Sequence, residues 1–128
     1  GRLSRTDPRY APEAFYRLKA LWLAEWLKRE VEPPRRVWIW GAGRPTRQRA
    51  AHLAAHGVAF AGYVDVDAKK TGRAVGGLPV VGPDALPPRE ESFVLGYVGT
   101  RGARDLIRAA LLATGRSEGR DFLMCACG

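Results

Sequence analysis

Short apolar runs alternate with longer segments of mixed polarity along this chain. The apolar runs, typical of strands buried on both faces, lie at 37–40, 58–65, 77–81, 93–98 and 122–127. Helical composition follows two of them, at 45–56 and 103–113. Strands that alternate with helices predict a doubly wound α/β fold, with a parallel sheet of about five strands in the order 3-2-1-4-5.

An amphipathic helix is expected before the first strand. Pro12 suits the first turn of a helix. Large apolar residues then recur at helical spacing, namely Phe15, Leu18, Trp22 and Trp26. We expect this stripe to pack on the sheet with both tryptophans in the core, although exposed tryptophans would mark a partner surface. The chain therefore divides into 1–32, a tail and linking helix, and 33–128, the α/β domain.

The turn after the first strand has the order of a dinucleotide-binding unit. The strand Val37–Trp40 ends in Gly41-Ala42-Gly43, a helix follows, and the second strand ends in Asp65. Glycines let the backbone approach a phosphate, and the helix N-terminus supplies N–H groups and a positive dipole. The acid accepts hydrogen bonds from ribose hydroxyls. This order predicts a Rossmann-like domain that binds an anionic, nucleotide-type ligand at the turn.

The glycine fingerprint is incomplete at positions 45 and 46. Thr46 stands where the third glycine is expected, and Pro45, although suited to a first helical turn, has no N–H to offer a phosphate. Arg44 and the Thr46 hydroxyl could compensate, because a guanidinium can grip phosphate through two parallel hydrogen bonds. A second interpretation stays open, in which the turn keeps its glycines only for packing.

A second glycine-rich turn is expected to face the first one. Gly99, Thr100 and Arg101 follow the fourth strand. Ligands of open α/β sheets bind beyond the carboxyl ends of the strands, at the point where the strand order reverses. Both turns fall at that point, and each carries an arginine, which strengthens the prediction of a nucleotide pocket there.

The sequence shows no set of side chains with catalytic or metal-binding spacing. His52 and His56 share one face of a helix without a nearby acid, and Asp65 and Asp67 form no acid–base pair on spacing alone. Cys125-Ala-Cys127 ends the last strand, and so close a pair rarely forms an unstrained disulfide. We therefore expect no catalytic residue, no metal and no activity from this domain alone, and the role of the cysteines stays open.

The net charge of +8 favours anionic partners in general. The arginines are nevertheless scattered, without a basic run, which argues against nucleic acid as a partner. No apolar stretch approaches the roughly 20 residues that cross a bilayer. Without a signal-type leader the expected location is the cytoplasm. The opening Gly-Arg-Leu-Ser, with no initiator methionine, indicates a piece of a larger protein.

From residue 37 to about residue 112 the chain resembles the N-terminal nucleotide-sugar subdomain of bacterial sugar O-acyltransferases. The motifs that carry the resemblance are G-A-G, G-Y-V-D-V-D, K-x-G-R, G-L-P-V-V-G, F-V-L-G and R-x-x-I-x-x-x-L. In that subdomain the first glycine turn and the acid after the second strand contact a UDP-sugar, and the resemblance implies this role for Gly41, Gly43 and Asp65. The match departs at Arg44-Pro45, and the hexapeptide β-helix of the acyltransferases is absent.

A second resemblance covers nearly the whole chain. The opening R-L-S-R-T-D-P-R-Y-A-P-E-A-F is similar to the segment that closes the catalytic domain of certain bacterial family 2 glycosyltransferases. Those proteins continue through a helix into a Rossmann-like C-terminal domain that begins with a similar V-W-I-W-G-A-G. The resemblance implies a non-catalytic accessory domain of a polysaccharide-building transferase, which binds a nucleotide or nucleotide-sugar and partners a missing upstream catalytic domain. The D-x-D carboxylates of that catalytic domain have no counterpart, because Asp65-Val-Asp67 ends a Rossmann strand.

Two alternatives from other classes stay open. One is an NAD(P)-binding domain of an oxidoreductase or epimerase. Such an enzyme also needs a substrate-binding region and a proton donor, for which this chain has no room. The other is an interaction module with a vestigial site, which would use Trp22 and Trp26 for contact. The ligand's base and sugar and the oligomeric state are not specified by these patterns, and the fold alone does not decide between the classes.

Overall fold

The computed structural model describes residues 12–67, 69–97 and 101–124, with the side chains of 12–20 and 101 left out. Its elements are α1 (Pro12–Glu30), β1 (Arg36–Trp40), α2 (Arg44–Ala55), β2 (Phe60–Val64), β3 (Ala74–Val75), β4 (Leu78–Val81), a 3-10 turn (Pro83–Ala85), β5 (Ser92–Gly96), α3 (Arg101–Ala113) and β6 (Phe122–Met124). In the described residues, three helices and a six-stranded, mostly parallel sheet form a Rossmann-like α/β fold.

The strand order is β3-β4-β2-β1-β5-β6, which corrects the expected sheet of about five strands in the order 3-2-1-4-5. The added strand is β3, which pairs antiparallel with β4 at one edge. Gly76 and Gly77 both have positive φ angles, 57° and 84°, as a tight two-residue hairpin turn requires. The other five strands run parallel and follow one another in the expected succession.

Alternate side chains of β1 enter two separate cores, one on each face of the sheet. Val37 and Ile39 pack with residues of α1 and α2, whereas Trp38 and Trp40 pack with residues of α3. This division follows from the twofold alternation of side chains along a strand. The doubly wound arrangement expected from the sequence is therefore present, with apolar residues buried on both faces of the central strand.

Helix α2 ends as its sequence predicts. Gly57, with φ 91°, follows the last turn. The Gly57 N–H donates to the Ala54 carbonyl at 3.0 Å, and the Val58 N–H donates to the Leu53 carbonyl at 3.2 Å. These two bonds form a Schellman motif, and the apolar residues Leu53 and Val58 that usually accompany it are both in the core.

Helix α1 packs on the sheet, although not through the expected stripe. Ala24 and Leu27 are buried in the core, and the Trp26 ring lies 5.6 Å from the Phe93 ring. Trp22 is 74% exposed, so the expectation that both tryptophans are core residues is wrong for Trp22. The face of α1 that carries Ala24 and Leu27 is therefore the buried one, and Trp22 lies on the exposed side of the helix.

We call the two ends of the parallel strands the amino edge, where the strands begin, and the carboxyl edge, where they end. A buried polar network lies at the amino edge. The fully buried Ser92 hydroxyl donates to the Pro87 carbonyl at 2.8 Å and accepts from the Arg116 guanidinium at 3.0 Å. Asp121, also buried, accepts from the Ser117 N–H at 2.8 Å and from the Arg35 guanidinium at 3.2 Å. The network joins β5 to the segments that precede β5 and β6.

None of the helices within the described ranges is both long enough and apolar enough to cross a membrane. This agrees with the expectation of no membrane span. Several residues with expected roles lie outside the described residues: Gly99, Thr100, Cys125, Cys127 and the side chains of Phe15 and Leu18.

Candidate functional site at the glycine turn

The turn after β1 depends on Gly41. Its φ of 111° lies in the left-handed region that side chains disfavour, and a Cβ there would lie 3.1 Å from the Thr46 Oγ1. Thr46, which is buried, fills the space that Gly41 leaves open. Thr46 therefore packs against the turn from the first helical turn of α2. Its predicted contact with phosphate stays a prediction.

Asp65 fastens the glycine turn to the end of β2. Its Oδ2 accepts a hydrogen bond from the Ala42 N–H at 2.9 Å, and its Oδ1 accepts one from the Asp67 N–H at 2.9 Å. The Gly41 N–H donates to the Val64 carbonyl at 2.6 Å, beside these bonds. Asp65 is only 9% exposed. Each carboxylate oxygen therefore already has a backbone donor, and the turn is held in one position relative to the sheet.

Lys70, which the sequence patterns do not predict as a site residue, brings a cation to the same turn. Its Nζ lies 3.9 Å from the Asp65 Oδ2 and 3.6 Å from the position of a Cβ on Gly43. Asp67 turns the chain back toward the site, since its carboxylate accepts from the Lys69 N–H and its carbonyl accepts from the Lys70 N–H, both at 2.9 Å. This agrees with the interpretation of Asp67 as a turn-forming residue.

The N-terminus of α2 opens beside Lys70. Gly43 is its N-cap residue, and no side chain caps the helix. The first N–H groups of an α-helix have no acceptor within the helix, although Pro45 at this end contributes none. The first turn contains no acidic residue, and Arg44 is exposed. The helix dipole, Arg44 and Lys70 together give this end the electrostatics that suit a phosphate group.

The pKa of Tyr63, a residue of β2 whose phenol lies near Arg47 of α2, is shifted from its ordinary value. Burial raises the pKa of the Tyr63 phenol above 10.0, and the positive charge of Arg47 lowers it in part. The phenol is therefore neutral at physiological pH and does not act as a base. Within residues 12–67, 69–97 and 101–124, no three histidine, cysteine or acidic residues are grouped as a metal site would require.

The structure brings most of the predicted site residues together. Gly41, Ala42, Gly43, Arg44 and Asp65 meet at the carboxyl edge, where β1 ends. The start of α3 follows β5, the neighbour of β1 in the sheet, so the backbone of Arg101 lies at that edge too. The Arg101 side chain and the turn at 98–100 lie outside the described residues. Their part in the site stays a prediction.

Comparison of this chain with protein-family models, with curated proteins and with solved structures gave no match.

Proposed function

We propose that this domain binds the phosphate-bearing part of a nucleotide or nucleotide-sugar at Gly41–Gly43, as a non-catalytic accessory domain of a glycosyltransferase. One observation carries the proposal: the Lys70 ammonium lies beside Gly43, at the uncapped N-terminus of α2. Backbone N–H groups, a helix dipole and a cation then face the same small volume. This combination favours phosphate over uncharged ligands.

The charges around the turn support an anionic ligand. Arg44 and Lys70 carry two positive charges, and the described carboxylate in contact with the turn is that of Asp65. The Lys70–Asp65 pair is loose, at 3.9 Å, and the Lys70 side chain is 43% exposed. A pair of this kind contributes little to stability. Lys70 can therefore turn toward a phosphate without a large loss elsewhere.

The bonding of Asp65 bears on which part of a nucleotide the turn could hold. In a dinucleotide site the acid after the second strand accepts from ribose hydroxyls. Here both oxygens of Asp65 accept from backbone N–H groups, and the side chain is 12% exposed. A ribose would compete with bonds that hold the turn. This supports a ligand bound mainly through phosphate, and it weighs against a ribose contact at Asp65 for NAD(P) and for a UDP-sugar alike.

The glycosyltransferase context rests on the resemblance of the opening segment and of the V-W-I-W-G-A-G strand. Ala24 and Leu27 of α1 are buried in the same core as β1 and α2. A helix fastened in this way would couple an upstream catalytic domain rigidly to the nucleotide site. The proposed setting is bacterial polysaccharide synthesis in the cytoplasm.

Thermal unfolding with a panel of ligands tests the proposal. UDP, a UDP-sugar, NAD and NADP are compared with uridine, which has no phosphate. We expect UDP and the UDP-sugar to raise the melting temperature, with Kd roughly in the micromolar to millimolar range, and uridine to have no effect. Melting temperatures unchanged by every nucleotide at millimolar concentration would contradict binding and leave packing as the role of the glycines.

Variants at the turn locate the binding. Lys70→Gln and Arg44→Gln should each weaken UDP binding by about 1–3 kcal/mol, because each removes a charged hydrogen bond. Arg29→Gln is the matched control, since Arg29 is exposed on α1 and pairs with Glu30. An equal loss in all three variants would show that overall charge attracts the nucleotide, without a defined site at the turn.

A contact surface on α1 is a second candidate function, because Trp22 is 74% and Leu21 is 42% exposed. Large exposed apolar side chains that lie together mark partner surfaces. In this case the partner would be the upstream catalytic domain. Association of the chain with that domain, produced separately, should be lost in Trp22→Ala and kept in Arg29→Ala. Unchanged association in Trp22→Ala would exclude this surface.

A further inference from the structure

A small apolar groove lies at the amino edge of the sheet, away from the glycine turn. It has a volume of about 220 Å3 and runs between the end of α1 and the residues that open β1 and β2. Its walls include Leu27, Val31, Val37 and Val58. A five-residue strand such as β1 spans about 17 Å, so the groove and the glycine turn are separate sites.

The charged residues that line this groove are cations. They are Lys28, Arg35 and Arg36, and no acidic residue is among the described residues that line it. Lys28 pairs with Glu25 at 3.3 Å, but both side chains are about half exposed or more, so the pair is weak. Arg36 forms no ion pair with a described residue. Arg35 is paired with Asp121, so the uncompensated positive charge at the groove is that of Arg36 and, in part, that of Lys28.

Arg35 is held in a fixed orientation at the groove. One of its terminal nitrogens donates to the Ser92 carbonyl, the Arg120 carbonyl and the Asp121 carboxylate, at 3.1–3.2 Å. Its guanidinium carbon lies 5.3 Å from the centre of the Phe93 ring. The Nε, by contrast, is buried and has no acceptor among the described residues. Because the Nε is buried, Arg35 contributes a fixed positive charge at the groove and not an open hydrogen-bond donor.

From these observations we propose that the groove binds a small amphipathic anion, a carboxylate on a short unbranched apolar chain. The apolar chain would lie along the walls of the groove and release water chiefly from Val31, because Leu27 and Val58 are already buried. The carboxylate would lie among the cations, as charge complementarity requires. This site does not depend on nucleotide binding, and UDP should not displace its ligand.

Isothermal titration with octanoate tests the proposal, with octan-1-ol and octylammonium as ligands of matched length. We expect octanoate to bind with a Kd of about 1 mM or tighter, octan-1-ol to bind at least about fivefold more weakly, and octylammonium not to bind. Equal affinity for octanoate and octan-1-ol would overturn the proposal, because the cations would then contribute nothing. Failure of octanoate to bind would overturn it too.

Two variants separate the contributions of charge and shape. The double variant Lys28→Gln/Arg36→Gln should bind octanoate about tenfold more weakly, while the same total charge change in Arg29→Gln/Arg73→Gln, outside the groove, should leave the affinity unchanged. Ala59→Phe should block the groove without a change of charge, since Ala59 is an exposed lining residue. Equal weakening by the two double variants would overturn the proposal. Thermal melts confirm that each variant is folded. If Ala59→Phe does not fold, the glutamine variants alone decide the test.

Discussion

The two edges of the sheet contain the same kinds of residue, but these residues are bonded differently at each edge. Each edge has a buried aspartate that accepts hydrogen bonds from backbone N–H groups, Asp65 at the carboxyl edge and Asp121 at the amino edge. Asp121 also binds the Arg35 guanidinium at 3.2 Å, whereas the cation nearest Asp65 is Lys70, at a looser 3.9 Å. We call the Arg35–Asp121 pair at the amino edge the closed pair and the looser Lys70–Asp65 pair at the carboxyl edge the open pair.

The arginines differ between the edges in the same way. Arg116 at the amino edge is 6% exposed and donates to Thr114, Ser92 and Pro87. Burial lowers the pKa of its guanidinium, although Asp121 raises it in part. Arg44 at the carboxyl edge is exposed. A cation whose hydrogen bonds are used within the protein supports the fold, and one that faces solvent is free to meet a ligand. The described amino-edge arginines Arg35 and Arg116 are therefore engaged within the fold, whereas Arg44 at the carboxyl edge faces solvent.

The largest effect is expected at the closed pair. Asp121→Ala leaves Arg35 and the Ser117 N–H without their carboxylate partner, and the loss of one member of a buried pair costs about 3–5 kcal/mol of the free energy of unfolding. Urea unfolding measures this loss. Asp84→Ala, an exposed aspartate in the 3-10 turn, should change stability by less than about 0.5 kcal/mol. If the two variants are equally stable, the amino edge is not a structural network.

An intermediate effect is expected at Asp65. Asp65→Ala removes the acceptor of the buried Ala42 N–H, and an unsatisfied buried donor costs about 1–3 kcal/mol. The same variant should also weaken UDP binding, because the turn is no longer fixed. Asp67→Ala, at an exposed neighbour, is the matched control, with a loss of about 0.5–1 kcal/mol from its own turn bond. A variant as stable as the parent protein would show that Asp65 does not fasten the turn.

The smallest effect is a dependence on alkaline pH. Because the pKa of Tyr63 is raised in the fold above 10.0, its protonated form is favoured there. The stability it contributes is fully present below about pH 10 and is lost as the pH rises through the folded-state pKa. Tyr63→Phe should therefore make unfolding less dependent on pH above 10, as measured by urea unfolding at a series of pH values. If the free energy of unfolding of Tyr63→Phe depends on pH above 10 as steeply as that of the parent protein, the phenol is exposed to solvent in the fold.

The parallel core could be predicted from the sequence because each of its signals is local. Gly57 ends α2 as a C-cap glycine does, and the apolar runs supply strands buried on both faces. The β3–β4 hairpin was not predicted, because a two-residue strand is too short to show alternating apolar and polar positions. The sequence feature that indicates its turn is the pair Gly76-Gly77. The hairpin therefore changed the strand count but not the succession of the parallel strands.

Long-range packing accounts for the other differences. The position of Asp65 after β2 followed from the motif, but its bond to the Ala42 N–H depends on how the turn settles against β2. Lys70 reaches the site through a loop whose path no periodicity describes. The exposure of Trp22 was not predicted, because helical spacing shows only which residues share a face of the helix. Which of those residues become buried depends on how the helix packs against the sheet. The predicted turn residues and the unpredicted lysine thus lie together at the candidate site.

The bond between Asp65 and position 42 also bears on how such chains diverge. The donor is the backbone N–H of Ala42, so the bond survives any substitution there that the buried space admits, whereas no residue other than glycine fits the φ of Gly41 easily. Drift should therefore replace the residue between the two glycines more readily than Gly41 or Asp65. Distant relatives would keep a glycine and an acid separated by about 20 residues, with little else alike.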